Sequence, residues 1–273
     1  MSDAALERLL RRDRAIVLAA LLGLAALAWA YVLWLAADMD MGGMDMAGFR
    51  MIPAGIGIMA PAILPWTGFE FALVFAMWAV MMIGMMTPAV APMVLIHARV
   101  ARQAASRELP FPSTAWFVLG YLAIWVLFAF AATTAQWAFE RASLLTPTME
   151  SATGTFAGVI LLVAGLYQWT SAKDVCLAQC QAPLAFIHSH GGFRRDRGGA
   201  FWLGIRHGGY CVGCCWTLML LLFAFGVMNV LWIAGLSAFA LLERIIPAGR
   251  LVARAAGVAM LAGGAWLLAG ALR

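Results

Sequence analysis

The five cysteines of this 273-residue chain stand in two groups. Cys176 and Cys180 are four residues apart, which places both thiols on one face of a helix. Cys211, Cys214 and Cys215 form the sequence CVGCC, whose spacings of three and four keep the three thiols on one side of a helix. Thiols grouped in this way bind soft metal ions or exchange electrons, so both positions carry candidate chemistry.

Cu(I) is the ion expected here, because thiolates with thioethers nearby select it. Zinc is the alternative, because His207 lies four residues before Cys211 on the same helical face and zinc accepts four Cys or His ligands. A thiol loses its proton when it binds either ion, so occupancy should depend on pH. Small cysteines also pack between membrane helices without binding anything, and that interpretation stays open.

Methionines supply a second set of sulfur atoms in the sequence MWAVMMIGMMTP. On a helix they make two adjacent stripes that rise about 13 Å, close to half the thickness of a bilayer core. The candidate thioether ligands are Met77, Met81, Met82, Met85 and Met86. Methionine is also an adaptable core filler, so the stripe alone does not decide between the two roles. Pro88 and Pro92 follow it and are expected to kink the helix.

A third set alternates thioethers with carboxylates in the sequence DMDMGGMDM, residues 38–46. Thioethers bind Cu(I) without losing a proton, and aspartates attract cations. The candidate ligands are Met39, Met41, Met44 and Met46. A disordered connector that happens to be rich in methionine is the alternative interpretation.

The elements that must position these residues are membrane helices, because 64% of the chain is apolar and only 11% is charged. Six uncharged runs are long enough to span a bilayer. They are Ala15 to Ala36, Phe71 to Ile96, Leu109 to Phe139, Ser151 to Ala172, His207 to Leu242 and Ala255 to Leu272. The fifth is too long for one crossing and contains the turn-like sequence GVMN, which predicts two helices, or alternatively a re-entrant pair. The fold class expected is an all-α, polytopic helix bundle of about seven spans in a single domain, residues 1–273.

Arginine placement predicts the orientation. If the N-terminus is cytoplasmic, only Arg50, Arg141 and Arg273 of the 18 basic residues face outward, in agreement with the positive-inside rule. The thiols then lie near the cytoplasmic side, beside a cytoplasmic loop at 173–206. The Met/Asp sequence lies in an outer loop at 37–68, on a face made acidic by residues that include Glu70 and Glu140. The basic residues border helices and meet anionic lipid, so no nucleic-acid partner is expected.

Other residues suggest less chemistry. Glu243 and Arg244 are expected to snorkel or to pair with each other at the inner end of the sixth span. No nucleophile–base pair, phosphate-binding glycine loop or pair of catalytic carboxylates is present, so the chain is expected not to be an enzyme. The alternatives are a membrane thiol-disulfide oxidoreductase and an accessory subunit that assembles a copper or haem enzyme.

Three stretches carry a resemblance: WAVMMIGMMTPAVAPMVLIHARV, GLYQWTSAKDVCLAQCQAPL, and the segment from LGIRHGGYCVGCCW to LLERIIP. Over about residues 71–247 the chain resembles a bacterial family of integral membrane proteins of unknown function, described as predicted metal-binding and sometimes as copper chaperones. The resemblance implies an inner-membrane location and metal binding by Met81, Met82, Met85, Met86, Cys176, Cys180, Cys211, Cys214 and Cys215. Release of copper would require a partner, either a soluble copper chaperone or an assembly complex of a copper enzyme.

Overall fold

The computed structural model describes residues 3–39, 49–53, 59–61, 64–105, 107, 112–146, 148–193 and 196–271. This part of the chain contains nine helices. They are α1 (Asp3–Met39), α2 (Gly68–Ala105), α3 (Thr114–Arg141), α4 (Gly154–Tyr167), α5 (Ser171–Gln181), α6 (Pro183–Ser189), α7 (Arg197–Phe225), α8 (Val230–Ile245) and α9 (Gly249–Ala271). A two-stranded antiparallel hairpin, β1 (Phe49–Met51) with β2 (Met59–Pro61), joins α1 to α2. The expected all-helical fold class is confirmed.

Five of the described helices are long and apolar enough to cross a membrane. They are Ala15–Met39, Gly68–Ala104, Thr114–Arg141, Arg197–Phe225 and Gly249–Ala271. A sixth span is counted if α4 and α5, which meet at a bend of 66°, are taken together. With only 16 residues, α8 is shorter than each of these spans. The seven spans and the cytoplasmic N-terminus stay predictions.

Polar caps set where the helices around the thiols begin. Thr170 accepts a hydrogen bond from the backbone of α5, Asp196 from that of α7, and Asn229 from that of α8. Such side chains satisfy backbone N–H groups that have no partner within the helix. Gly226, with φ of 102°, ends α7 in a conformation that favours glycine. The interruption predicted at GVMN therefore lies between α7 and α8.

The segment 173–206 is not the loop that the sequence suggested. It contains most of α5, all of α6 and the first turns of α7. Cys176 and Cys180 therefore lie on a separate short helix beyond the bend, and the predicted fourth span ends early, at Tyr167. The local reason is that the Thr170 cap starts a new helix within three residues of the old one.

Two glycines bring α3 and α7 into backbone contact. A Cβ atom at Gly204 would collide with the carbonyl oxygen of Phe117, and one at Gly120 would collide with that of Phe201. The same helix α3 also packs against α2 on another side, while α5 packs against α7. Helix α2 with its methionines, helix α7 with three of the cysteines and the short helix α5 are thereby held around one core.

The kink expected at the prolines does not interrupt α2, which continues as a helix from Gly68 to Ala105. Side chains bind the carbonyls just before them: the Thr87 hydroxyl donates to Ile83 and the Ser237 hydroxyl of α8 donates to Met85. Proline removes the backbone donor to the carbonyl four residues earlier, and for Pro88 that carbonyl belongs to Gly84, between the two that these hydroxyls bind.

Candidate metal centre

The three cysteines of α7 are buried and close together. Cys214 and Cys215 each donate a thiol hydrogen bond to the carbonyl oxygen of Cys211, over 3.2 and 2.9 Å. Their side chains also contact each other, and Cys215 contacts the side chain of Cys211. The helical spacing of CVGCC therefore gives one thiol face directed into the protein.

The short helix α5 adds its two thiols to this face. The thiol of Cys180 lies beside that of Cys214 and interacts with it. Cys176 lies against Gly213, where a Cβ atom would stand 2.7 Å from its sulfur. Both α5 thiols are half-buried, whereas the α7 thiols are fully enclosed. We call the contact series Cys180, Cys214, Cys215 and Cys211 the thiol chain.

The thiol chain is a sequence of pairwise contacts. Among the residues that the structure describes, no three His, Cys, Asp or Glu side chains are grouped as a ready metal-binding cluster. Thiolates are ligands for soft ions such as Cu(I) and also for zinc, which takes four ligands round one point in a closed site.

Tyr121 joins the thiol chain to the methionine helix. Its buried hydroxyl donates to the carbonyl oxygen of Met86 over 3.0 Å and also lies 3.0 Å from the sulfur of Cys211. The hydroxyl has a single proton, so it accepts from the thiol while it donates to the carbonyl. Sequence spacing gave no signal for this contact, because Tyr121 and Cys211 are 90 residues apart.

Arg244 is the residue that the sequence interpretation placed wrongly. Its Nη2 donates to the sulfur of Cys214 over 3.2 Å and to that of Cys215 over 3.3 Å. It does not pair with Glu243, because Glu243 forms a buried ion pair of 2.7 Å with Lys173. The expected snorkelling is also absent, since Arg244 is only 8% exposed. The sequence did contain a signal for this contact, because Arg244 lies on the helix that follows α7, at the depth predicted for the thiols.

His207 lies one turn before Cys211 and is 4% exposed. Its ring is surrounded by those of Phe117, Tyr121 and Phe186, with centroids 5.1 to 6.0 Å away. Its Nδ1 has no hydrogen-bond partner among the described residues. A buried ring nitrogen without a partner is costly, so His207 stays a candidate ligand beside the thiol chain.

All five candidate methionines of α2 are buried, each at most 2% exposed. This burial fits both a thioether path and simple packing. Met219, one turn beyond Cys215 on α7 and 1% exposed, extends the thiol face with a thioether that the sequence interpretation did not include. Among the hydrogen bonds of the described residues, the one from the Tyr121 hydroxyl to the Met86 carbonyl is the one that links Tyr121 to these methionines.

The outer candidates are less defined. Met39 is half-buried at the end of α1, and Met41, Met44 and Met46 lie outside the described residues. Glu70 is buried and paired with Arg50 at 2.9 Å, and Glu140 accepts hydrogen bonds from Trp66 and Gln136. These two carboxylates therefore belong to an internal polar network, which removes them from the expected acidic surface.

One family model, described as "Copper chaperone" and named PpoB2, matches residues 75–267, well over half of the chain. The chain belongs to this copper chaperone family. The match includes all five cysteines, His207, Arg244 and the five candidate methionines of α2. The family description names a copper chaperone and no catalytic reaction. Comparison with curated proteins and with solved structures gave no match.

Proposed function

We propose that this member of the copper chaperone family is a multi-pass membrane protein that binds Cu(I) through its cysteine thiolates, for transport, storage or delivery of copper. The thiol chain carries the proposal. Four sulfur-bearing side chains from two helices are in successive contact in a low-dielectric interior, where thiolates bind a soft cation in place of their protons. Zinc is the alternative ion, with His207 as an added ligand.

A topology of seven spans fits this function. In it α8 crosses the membrane with α4 and α5 counted as one bent span, and the N-terminus is cytoplasmic in a bacterial inner membrane. The 16 residues of α8 rise about 24 Å, which a slightly thinned bilayer accommodates. The arginine distribution supports this orientation.

A path for the ion follows from this topology. Met39, Met41, Met44 and Met46 would capture Cu(I) outside, and the thioethers of Met77, Met81, Met82, Met85 and Met86 would pass it inward. Thioethers hold Cu(I) weakly and thiolates hold it tightly, so affinity rises along the path. The half-buried thiols of α5 are the reachable end, where a soluble copper chaperone or a copper-enzyme assembly complex would accept the ion.

Metal analysis of the purified protein under reducing conditions tests the proposal. We expect wild type to retain copper and the Cys211→Ser, Cys214→Ser, Cys215→Ser variant to lose it. Thr217→Val is the matched control, because Thr217 is buried on the same helix and its hydroxyl has no hydrogen-bond partner among the described residues. Equal, negligible copper in wild type and the triple variant contradicts the proposal.

A thiol oxidoreductase is a second candidate, favoured by the contact between Cys180 and Cys214 on different helices. Two thiols in contact form a disulfide when an oxidant is available. Trapping free thiols by alkylation in intact cells, followed by mass spectrometry, separates the two candidates. A Cys180–Cys214 disulfide that forms and disappears with the cellular redox state supports the second, and permanently reduced thiols support copper binding.

A further inference from the structure

Three charged side chains lie buried beside the thiol chain. Lys173, Glu243 and Arg244 are 0%, 1% and 8% exposed. Lys173 and Glu243 neutralise each other through their 2.7 Å ion pair. No ion pair links Arg244 to a carboxylate of the described residues. One positive charge is therefore left without a carboxylate partner.

The partners of that charge are sulfur atoms and a carbonyl. Arg244 Nη2 lies 3.2 Å from the Cys214 sulfur, 3.3 Å from the Cys215 sulfur and 3.4 Å from the Cys211 oxygen. A neutral thiol is a weak acceptor, so it recovers little of the cost of burying a guanidinium. The arrangement becomes favourable when these sulfurs carry negative charge.

We infer that Arg244 is the counter-ion of a Cu(I)–dithiolate complex and thereby determines which metal the site accepts. This inference rests on the proposed function. Cu(I) with two thiolates has a net charge of −1, which the guanidinium cancels, whereas Zn(II) with two thiolates is neutral and leaves Arg244 unbalanced. Arg244 acts on the metal through the sulfurs, so it is a positioning residue with no direct bond to the ion.

The contacts fit an ion that needs only two sulfurs. Cys214 touches Cys180 on one side and Cys215 on the other, and it also accepts the hydrogen bond from Arg244. A zinc ion held by three thiolates and His207 would have a net charge of −1, like the Cu(I)–dithiolate complex. That arrangement needs four ligands round one point, whereas the thiols here contact one another in pairs along a series, Cys180 with Cys214, Cys214 with Cys215 and Cys215 with Cys211.

Two substitutions separate charge from structure. Arg244→Gln removes the charge and keeps an amide donor, while Arg244→Lys keeps the charge on a different head group. Arg254→Gln is the matched control, because Arg254 is an exposed arginine that bonds Asp174. Full-length protein in detergent, kept reduced, is titrated with Cu(I) and separately with Zn(II) in competition with a chelator of known affinity.

We expect Arg244→Gln to weaken Cu(I) binding by about tenfold to a hundredfold, the scale of a hydrogen bond to a charged group. Zn(II) binding should be unchanged or tighter, so the preference for copper falls by at least about tenfold. Arg244→Lys should keep Cu(I) affinity within about threefold, and Arg254→Gln should behave as wild type.

Several results would overturn the inference. Unchanged Cu(I) affinity in Arg244→Gln would do so and would leave the proposed function intact. Equal loss of both metals would show that Arg244 only supports the fold. If Arg244→Gln is recovered only as aggregate, Arg244→Lys decides: more than about tenfold loss of Cu(I) affinity counts against the charge. A wild type that binds no Cu(I) would overturn the proposed function and the inference together.

Discussion

The ion pair of Lys173 with Glu243 should contribute strongly to the stability of the protein, although ion pairs at a protein surface contribute little. Its atoms are 2.7 Å apart and its side chains are 0% and 1% exposed, so water does not screen it. Replacing Glu243 by Leu leaves the lysine charge buried and unpaired. Breaking such a pair costs about 3–5 kcal/mol, and Lys173→Met should cost a similar amount because it isolates the carboxylate.

The double variant gives the sharper expectation. One oxygen of Glu243 has no hydrogen-bond partner among the described residues, so the pair is incompletely satisfied. Replacing both members by apolar residues should therefore restore stability to within about 1 kcal/mol of wild type. Unfolding in mixed detergent micelles measures all four proteins as a double-mutant cycle.

The chain offers a control in the adjacent residue. Asp174 forms an exposed ion pair with Arg254, so Asp174→Asn should cost less than about 1 kcal/mol. The pair of Lys173 with Glu243 also fastens α5 to α8, so each single substitution should speed alkylation of Cys176. If the losses in the two single variants simply add in the double variant, the reasoning is refuted, because no coupling would exist between the charges.

Three further outcomes are expected. Gly204→Ala should destabilise the protein by about 1–3 kcal/mol in the same unfolding assay, because the added Cβ would meet a backbone oxygen of α3. Gly209→Ala is the control and should be neutral or stabilising, because Gly209 has open space around it. Tyr121→Phe should cost about 0.5–1.5 kcal/mol, because the Met86 carbonyl loses this hydrogen bond but stays within the continuous helix α2, and no measurable loss would contradict that role. Copper retained after dialysis should fall as pH is lowered, because protons compete with Cu(I) for the thiolates; retention independent of pH between about 5 and 8 would exclude thiolate ligands.

The sequence was sufficient to propose the sulfur ligands and the all-helical membrane architecture. Cysteine spacing gives helical faces directly, and long uncharged runs give spans. The short helix α5 was not predicted, because its 11 residues are polar on average and follow a bend that depends on one threonine cap. The prolines of α2 were expected to disturb the helix, yet α2 runs without interruption from Gly68 to Ala105.

The partners of the charged residues could not be read from the sequence, because they lie far apart along the chain. Lys173 and Glu243 are 70 residues apart, and Arg244 is 30 residues from Cys214. Adjacent Glu243 and Arg244 look like a local pair, yet consecutive helical residues point in different directions and meet different neighbours. The helix packing decides which of the two faces the thiols.

The buried guanidinium favours the proposed metal-handling role over simple packing. Neutral cysteines pack against apolar neighbours without any cation, so a structural thiol cluster gives no reason to bury Arg244. An apolar side chain of similar volume would fill the same space at lower cost, since a buried charge is expensive. Burial of the Arg244 charge becomes favourable once the adjacent sulfurs carry negative charge. In the proposed site a dithiolate holding one monovalent ion would supply that charge, so the arginine and the thiols are best understood as one unit.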